Sequence, residues 1–392
     1  MRSHNLTLVA RRAWRDGEII RAELVRELGM APSTVSKLVG DLVETGLLVE
    51  SHAAPSGGGR PPRVVRFAYD RATMLGLDIG ASHVTAVCTD LAGTPLAVQS
   101  RPHPVRDDPQ GTLRLAEALA REVVAEADTD VAACAGVGLA VPAPVLPAGP
   151  SPLSEAILPT WSGIDPGAAL RRALGLPVWM ENDANVCAAA TVWLGVGRGH
   201  RSLVYLKLGT GIGAGIVVDG ALLRGTSGFA GEVGHIPVDL NGPRCPCGLS
   251  GCLDVMAGST ATLARYHSQH GTSERSDLRA IAVAAREGDA AAQHAVRTSA
   301  KYLALGVASI INWVNPSMIV LGGSLTEAGD VLLEPLRAMA TQRAEWAHIP
   351  IAKVRISEFG QHTTAIGAAT LVLREVLNTP GLVNRTAVEG AA

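Results

Sequence analysis

The chain of 392 residues has no run approaching the roughly 20 uninterrupted apolar residues that a membrane helix needs, although 47% of it is hydrophobic. Its first residues, MRSHNLTLVARRAWRDG, mix charge into the apolar pattern and lack the core and cleavage site of a secretion signal. A cytoplasmic protein with no membrane partner is the expectation. Charge of one sign is also lacking: 34 Lys+Arg face 36 Asp+Glu, a net of −2, so the chain as a whole carries no nucleic-acid signature. No repeat at solenoid or propeller periods is apparent. With 18% charged residues beside the apolar fraction, the composition is globular rather than disordered. Cysteine is sparse. Cys88, Cys134 and Cys187 lie singly in apolar surroundings and read as small core residues, which leaves no disulfide framework.

What is present is distributed unevenly. The length asks for two or three domains. Residues 1–71 carry 11 Lys+Arg against 8 Asp+Glu, a net of +3, which leaves −5 for the rest. That sign suits a DNA-contacting N-terminus. Here the pattern predicts helices over Leu6–Trp14, Arg21–Leu28 and Pro32–Glu44. Gly29 stops the second, and Pro32 and Ser33 open the third. Strands at 47–50 and 63–67 flank a glycine-rich basic tip. Three helices and a hairpin make the α+β plan of a winged helix-turn-helix. Ser33, Thr34, Ser36 and Lys37 are the small polar and basic groups that a recognition helix needs at its start. Arg60 and Arg63 suit a narrow minor groove. A solvated surface helix followed by a linker is the plainer alternative.

From Met74 the texture becomes α/β. Strands are predicted at 74–80, 136–142, 177–180, 202–209, 213–220 and 318–323. Helices are predicted at 111–127, 184–194, 257–266, 276–287, 289–311 and 363–377. The expected organisation is a winged helix over 1–72, a first lobe over 73–190, and a second lobe over 191–378 whose last helices return to the first. A loose tail is expected at 379–392.

The sharpest motif is GEVGHIPVDLNGPRCPCGLSGCLD (231–254). His235, Cys245, Cys247 and Cys252 form H-x9-C-x-C-x4-C, a closed set of one nitrogen and three sulfurs. That set suits structural Zn²⁺ and leaves no position for catalytic water. Buried thiols beside an unrelated histidine are the alternative. Three glycine turns follow strands: Asp78, Gly80 and Ser82; Gly209, Thr210, Gly211 and Gly213; and Gly322 with Gly323. Each offers backbone amides to phosphate, and each alone is more often just a turn. ENDAN (181–185) opens a helix. Asn182 there can bind a hydroxyl, and Asp183 can take a sugar proton as general base, or either can simply cap the helix. Glu232 stands three residues before His235, so both suit one polyol.

With these motifs the chain resembles the ROK family (repressors, open reading frames, sugar kinases) of the actin-like, ribonuclease H-like sugar-kinase superfamily. GEVGH…CPCGLSGC, LGTGIGAG and ENDAN carry the resemblance, which covers residues 73–378. It implies a two-lobed sugar-kinase-like α/β fold behind a repressor-type winged helix. It implies zinc on the four ligands, and a sugar site of Asn182, Asp183, Glu232, His235 and Asp254. A homodimer or a dimer of dimers would present paired heads to a two-fold DNA operator. The expected function is a sugar- or sugar-phosphate-responsive transcriptional repressor. The alternative is an ATP- and Mg²⁺-dependent sugar kinase with Asp183 as base. Kinases of the family read D-x-G-G-T where this chain has Asp78-Ile79-Gly80-Ala81-Ser82. Asp254 replaces a usual Glu, and Pro142-Ala143 replaces a usual Pro-Gly. These departures count against efficient phosphoryl transfer and are compatible with sugar binding.

Overall fold

The computed structural model describes residues 2–52, 63–146, 158–270 and 277–384. Arg60 and most of the glycine-rich tip lie outside them. The chain opens with α1 (Arg2–Asp16), β1 (Glu18–Ile20), α2 (Arg21–Leu28), α3 (Pro32–Glu44), β2 (Leu48–His52) and β3 (Arg63–Phe67). The strands form an antiparallel sheet in the order β1-β3-β2. In α3, Pro32 fixes the first-turn φ, and Val35, Leu38, Val39 and Leu42 bury one face at helical spacing. Gly29 ends α2 in the left-handed conformation, at φ +61°. This is a winged helix-turn-helix; β1 was not anticipated, being too short to show a period.

Next come β4 (Thr73–Ile79), β5 (His83–Asp90), β6 (Pro95–Pro102), α4 (Pro109–Glu126), β7 (Cys134–Val141), α5 (Pro166–Leu174) and β8 (Val178–Asn182). They form a sheet in the order β6-β5-β4-β7-β8. A second sheet follows α6 (Asp183–Trp193), built from β9 (Leu203–Leu208), β10 (Ile212–Val218) and β11 (Ala221–Leu222). After α7 (Leu253–Ala257), α8 (Ser259–His270), α9 (Leu278–Glu287) and α10 (Ala290–Val314) come β12 (Met318–Gly322), α11 (Asp330–Ala347), β13 (Lys353–Ile356) and α12 (Thr363–Asn378). Its order, β11-β10-β9-β12-β13, repeats the first. In each sheet the first strand pairs antiparallel with the second and parallel with the fourth. One plan used twice is the duplicated α/β architecture expected of the sugar-kinase fold.

Contacts divide the chain into two compact units. One comprises Met1–Ala140, Pro159–Met180 and Ala368–Ala392; the other comprises Val141–Leu158 and Glu181–Gly367. The expected first lobe ended at 190. The division falls instead at 180/181, because α6 packs on β9 and β10 of the second unit. The winged helix clusters with the first sheet: the buried Trp14 indole N–H donates to the Leu91 carbonyl at 2.8 Å. In the expected tail, Pro380–Asn384 form a 3-10 turn with Leu382 and Val383 buried, and residues 385–392 lie outside the described ones. The predicted helix over 257–266 is two helices, α7 and α8, broken at Gly258.

Candidate functional site: a cysteine–histidine knuckle beside an acidic cluster

The loop after β11 runs through a 3-10 turn, Val233–His235, into a compact knuckle. Pro237 bridges Cys252 and Arg244 bridges Ser250, while the Cys245 N–H donates to the Leu249 carbonyl at 2.8 Å. Gly251, at φ +61°, makes this possible: a Cβ there would stand 1.5 Å from the Asp239 carbonyl oxygen. The turns bring one ligand atom each of His235, Cys245, Cys247 and Cys252 within 4.8 Å of one another. Cys245 Sγ is 3.5 Å from His235 Nδ1, and Cys247 Sγ is 3.6 Å from Cys252 Sγ. A tetrahedral ion with bonds of about 2.3 Å has ligand–ligand edges of roughly 3.8 Å, so the four groups fit one zinc ion. Without metal, burial pushes the Cys245 and Cys252 thiols up, Cys252 to about 12, while the Leu249 backbone holds Cys247 down. A bound divalent cation would take all three as thiolates.

His235 turns Nδ1 toward the cysteines and Nε2 toward Glu232, whose Oε2 is 3.9 Å away. One ring therefore borders both the knuckle and an acidic cluster. Glu232 titrates above the ordinary carboxylate range, chiefly through burial and then through the negative charges of Asp183 and Asp254; His235 opposes the shift. Burial likewise raises Asp254, against the pull of the Ile212 N–H, which donates to its Oδ1 at 2.9 Å. Asp254 sits in the first turn of α7 and faces Gly211 of the β9–β10 turn. Asn182 caps α6, accepting from the Ala184 and Asn185 amides at 3.0 and 3.2 Å and donating to the Ala143 carbonyl at 3.3 Å. Capping and hydroxyl binding thus compete for Asn182. Asp183 accepts from the Ala184 N–H at 2.7 Å and from the Lys207 ammonium at 2.5 Å.

Two neighbours escaped the sequence reading. Lys207, on β9, is a charge inside the apolar strand SLVYLKLG, and that mismatch was the available signal. Glu181, 3% exposed, accepts from the Asn182 N–H, the Asn185 side-chain amide and the Arg224 guanidinium. Arg224 lies on the loop that leads to Glu232, so the ion pair fastens that loop to the start of α6. Forty-three residues separate Glu181 and Arg224, and spacing alone could not pair them.

The glycine turns differ in kind. Between β4 and β5, Asp78 is 3% exposed, its Oδ1 has no hydrogen-bond partner among the described residues, and its Oδ2 lies 3.4 Å from His83 Nε2. A Cβ on Gly80 would meet the His83 ring at 2.5 Å, and Ser82 is exposed. The orphaned oxygen suits a metal–nucleotide partner, while the imidazole occupies the space beside the turn. Between β9 and β10, Gly209 has nothing within 4 Å of where its Cβ would be, and the exposed Thr210 gives its carbonyl to the Ser259 hydroxyl. A Cβ on Gly213 would meet Ala184 at an ordinary 3.5 Å. Gly322 and Gly323 answer to packing: their Cβ atoms would stand 1.6 Å from the Tyr205 hydroxyl and 2.2 Å from the Leu208 carbonyl oxygen.

On the winged helix, Ser33, Thr34, Ser36 and Lys37 are all exposed, opposite the buried face of α3. Arg21 holds the wing base by pairing with Glu50, and the exposed Arg63 lies 4.0 Å from the same carboxylate.

A winged helix in one chain with a twice-used sugar-kinase strand order and a knuckle of three cysteines and one histidine defines the class: a regulator-type member of the sugar-kinase-like proteins. The ROK family model matches residues 74–375, and the chain belongs to the ROK family. It is 29% identical to the xylose repressor of Caldicellulosiruptor bescii over 378 residues, covering 93% of this chain and 94% of that protein. It is 34% identical to the glucokinase of Thermotoga maritima over 230 residues, 56% of this chain and 73% of that one. Among solved structures, a ROK family transcriptional regulator described as a homolog of the E. coli MLC protein superposes with a TM-score of 0.79 at 25% identity. That match covers 99% of this chain and 100% of the other.

Proposed function

We propose that the protein is a DNA-binding transcriptional repressor of carbohydrate metabolism whose hold on its operator is set by a bound sugar. The observation that carries this reading is the exposed Ser33, Thr34, Ser36 and Lys37 face of α3, on a winged helix in the same chain as a half-buried acidic cluster. Ser33, Thr34, Ser36 and Lys37 reach base edges and phosphates, and Arg60 and Arg63 serve the wing. Asn182, Asp183, Glu232, His235 and Asp254 take the sugar hydroxyls. Zinc on His235, Cys245, Cys247 and Cys252 braces the loop that carries Glu232 and His235. Coupling requires unequal sugar affinity for the DNA-competent and DNA-incompetent forms. A homodimer pairs two heads on a two-fold site. No helix among the described residues is long and apolar enough to cross a membrane, and the repressor reading implies work in the cytoplasm.

Selection of bound duplexes from a randomised library, followed by fluorescence anisotropy with and without D-xylose or D-glucose, tests this. The expected result is an enriched two-fold site whose affinity changes with one sugar; no enrichment would sink the reading.

A second reading, an ATP-dependent sugar kinase, is favoured by Asp183 at the start of α6 and by the orphaned Asp78 oxygen. On that reading Asp78, Gly80 and Ser82 of the first unit, and Gly209, Thr210, Gly211, Gly213, Gly322 and Gly323 of the second, are the phosphate-binding candidates of each unit. ADP release that is sugar-dependent and lost in Asp183→Ala would establish it.

A further inference from the structure

Beside the exposed face of α3 stands a group of three charges, of which only Arg63 was assigned to DNA above. Arg21, the first residue of α2, reaches two other elements at once. Its Nη1 donates to the Ser36 hydroxyl on α3 at 3.5 Å, and its Nη2 pairs with Glu50 Oε1 on β2. The second carboxylate oxygen, Oε2, lies 4.0 Å from Nη1 of Arg63 on β3. Glu50 stands opposite Val65 in the β2–β3 ladder. Arg63 is two residues from Val65, so the Glu50 and Arg63 side chains leave the same face of the sheet.

The side chains of Arg21, Glu50 and Arg63 are 20%, 30% and 53% exposed, so a ligand can reach all three from solvent. Partly exposed pairs of this kind contribute little to stability. Internal hydrogen bonding does not account for the group either, since Arg21 Nε is buried without a partner among the described residues. Two guanidinium groups against one carboxylate leave a net positive charge beside the exposed Ser36. A guanidinium takes phosphate with the same planar fork that it offers a carboxylate. We propose that Arg21 and Arg63 form a phosphate-binding edge of the DNA surface, and that Glu50 is its internal competitor. The carboxylate occupies Arg21 and draws Arg63 as a phosphate would, and so lowers affinity for duplex of any sequence. This rests on the DNA-binding reading above. Phosphate contacts carry no sequence information, so Glu50 restrains the term on which sequence-independent binding depends.

The test is fluorescence anisotropy of the full-length, zinc-loaded protein on a labelled duplex of random sequence, across a salt series. Wild type is compared with Glu50→Gln, Arg21→Gln and the double variant, and melting temperature confirms that each is folded. Glu50→Gln keeps the side chain's size and loses its charge. It is expected to bind the duplex about threefold or more tightly and to steepen the slope of log affinity against log salt by about one. Arg21→Gln alone leaves Glu50 against Arg63, and should flatten that slope by about one. The double variant carries the same net charge at this edge as wild type, so its slope should return to the wild-type value. A Glu50→Gln slope equal to that of wild type overturns the competitor role. So does weaker binding, which is the signature of a carboxylate that only positions the two arginines. A double variant that keeps the steeper slope, or an unaltered slope in Arg21→Gln, removes Arg21 from the edge. Wild type that binds no duplex even at low salt fails one step earlier and takes the DNA-binding reading with it.

Discussion

The two five-stranded sheets share a strand order but not what stands at their first hairpin. In the β4–β5 turn Ala81 sits where kinases of the family carry glycine, the His83 ring crowds Gly80, and Asp78 is buried with one oxygen unpaired. In the β9–β10 turn Gly209 is open, Gly211 faces Asp254, and the Ile212 amide holds that carboxylate in place. The second turn is wired into the acidic cluster and the knuckle; the first is closed over by its own side chain. On the reading proposed above, a crowded turn in one unit and a turn tied to carboxylates in the other would suit a sugar sensor built on a kinase-like scaffold. Binding a sugar needs oriented hydrogen bonds, whereas phosphoryl transfer also needs close backbone approach to phosphate.

The sharpest way to break this comparison is at the knuckle. Cys252→Ser removes a fully buried ligand, and structural zinc contributes folding free energy outright. Metal analysis should show lost zinc. Calorimetry should show several kcal/mol of lost stability, with sugar response lost first because His235 belongs to both sets. Full zinc retention with normal sugar response would uncouple the knuckle from the site. Gly251→Ala tests the same loop without touching a ligand. With φ +61° and a carbonyl oxygen 1.5 Å from the new Cβ, it should cost about 2–4 kcal/mol in chemical denaturation. A loss under about 1 kcal/mol would mean that the turn relaxes freely.

Much of this was legible in the chain, for physical reasons that differ by region. The knuckle shows because four metal-ligating side chains and several glycines must crowd into a short span. The helix α3 shows because its apolar stripe and Pro32 act locally, and its ends fall where the pattern puts them. The β9–β10 hairpin shows as two apolar runs about a glycine turn. Other elements left no comparable trace. β5 is buried along nearly its whole length, so it has no alternation to read, and β13 has four residues. Helix α11 carries Pro335 in its interior, which argues against a helix by local rules. Side-chain pairs were the least visible layer. Lys207 with Asp183 and Arg224 with Glu181 are made by the sheet register and by a loop returning to α6, and neither is encoded by spacing.

Between the acidic cluster and the winged helix the comparison predicts smaller, separable effects. Asp183→Asn keeps its shape but loses the charge that pairs with Lys207. It should weaken sugar binding roughly tenfold to a hundredfold, while DNA affinity without sugar stays within twofold. Lys37→Ala should do the reverse. It should weaken DNA binding by about 1 kcal/mol and reduce the slope of log affinity against log salt by about one, with sugar affinity unchanged. An unaltered salt slope would remove Lys37 from the phosphate contacts.

The smallest expected effect bears most directly on the two turns. Ala81→Gly restores the glycine of the kinase pattern and removes a methyl group from the β4–β5 turn. If that turn plays no part in sensing, sugar affinity and the sugar-dependent change in DNA affinity should both stay within twofold of wild type. Stability should fall by less than about 1 kcal/mol, the backbone-entropy cost of a glycine. ADP release should stay at background as well, because His83 still crowds Gly80 and Lys207 still pairs with Asp183. Appearance of sugar-dependent ADP release in Ala81→Gly would mean that a single methyl group separates sensor from kinase. The closed turn would then be a latent part of the catalytic machinery rather than a vestige beside a receptor.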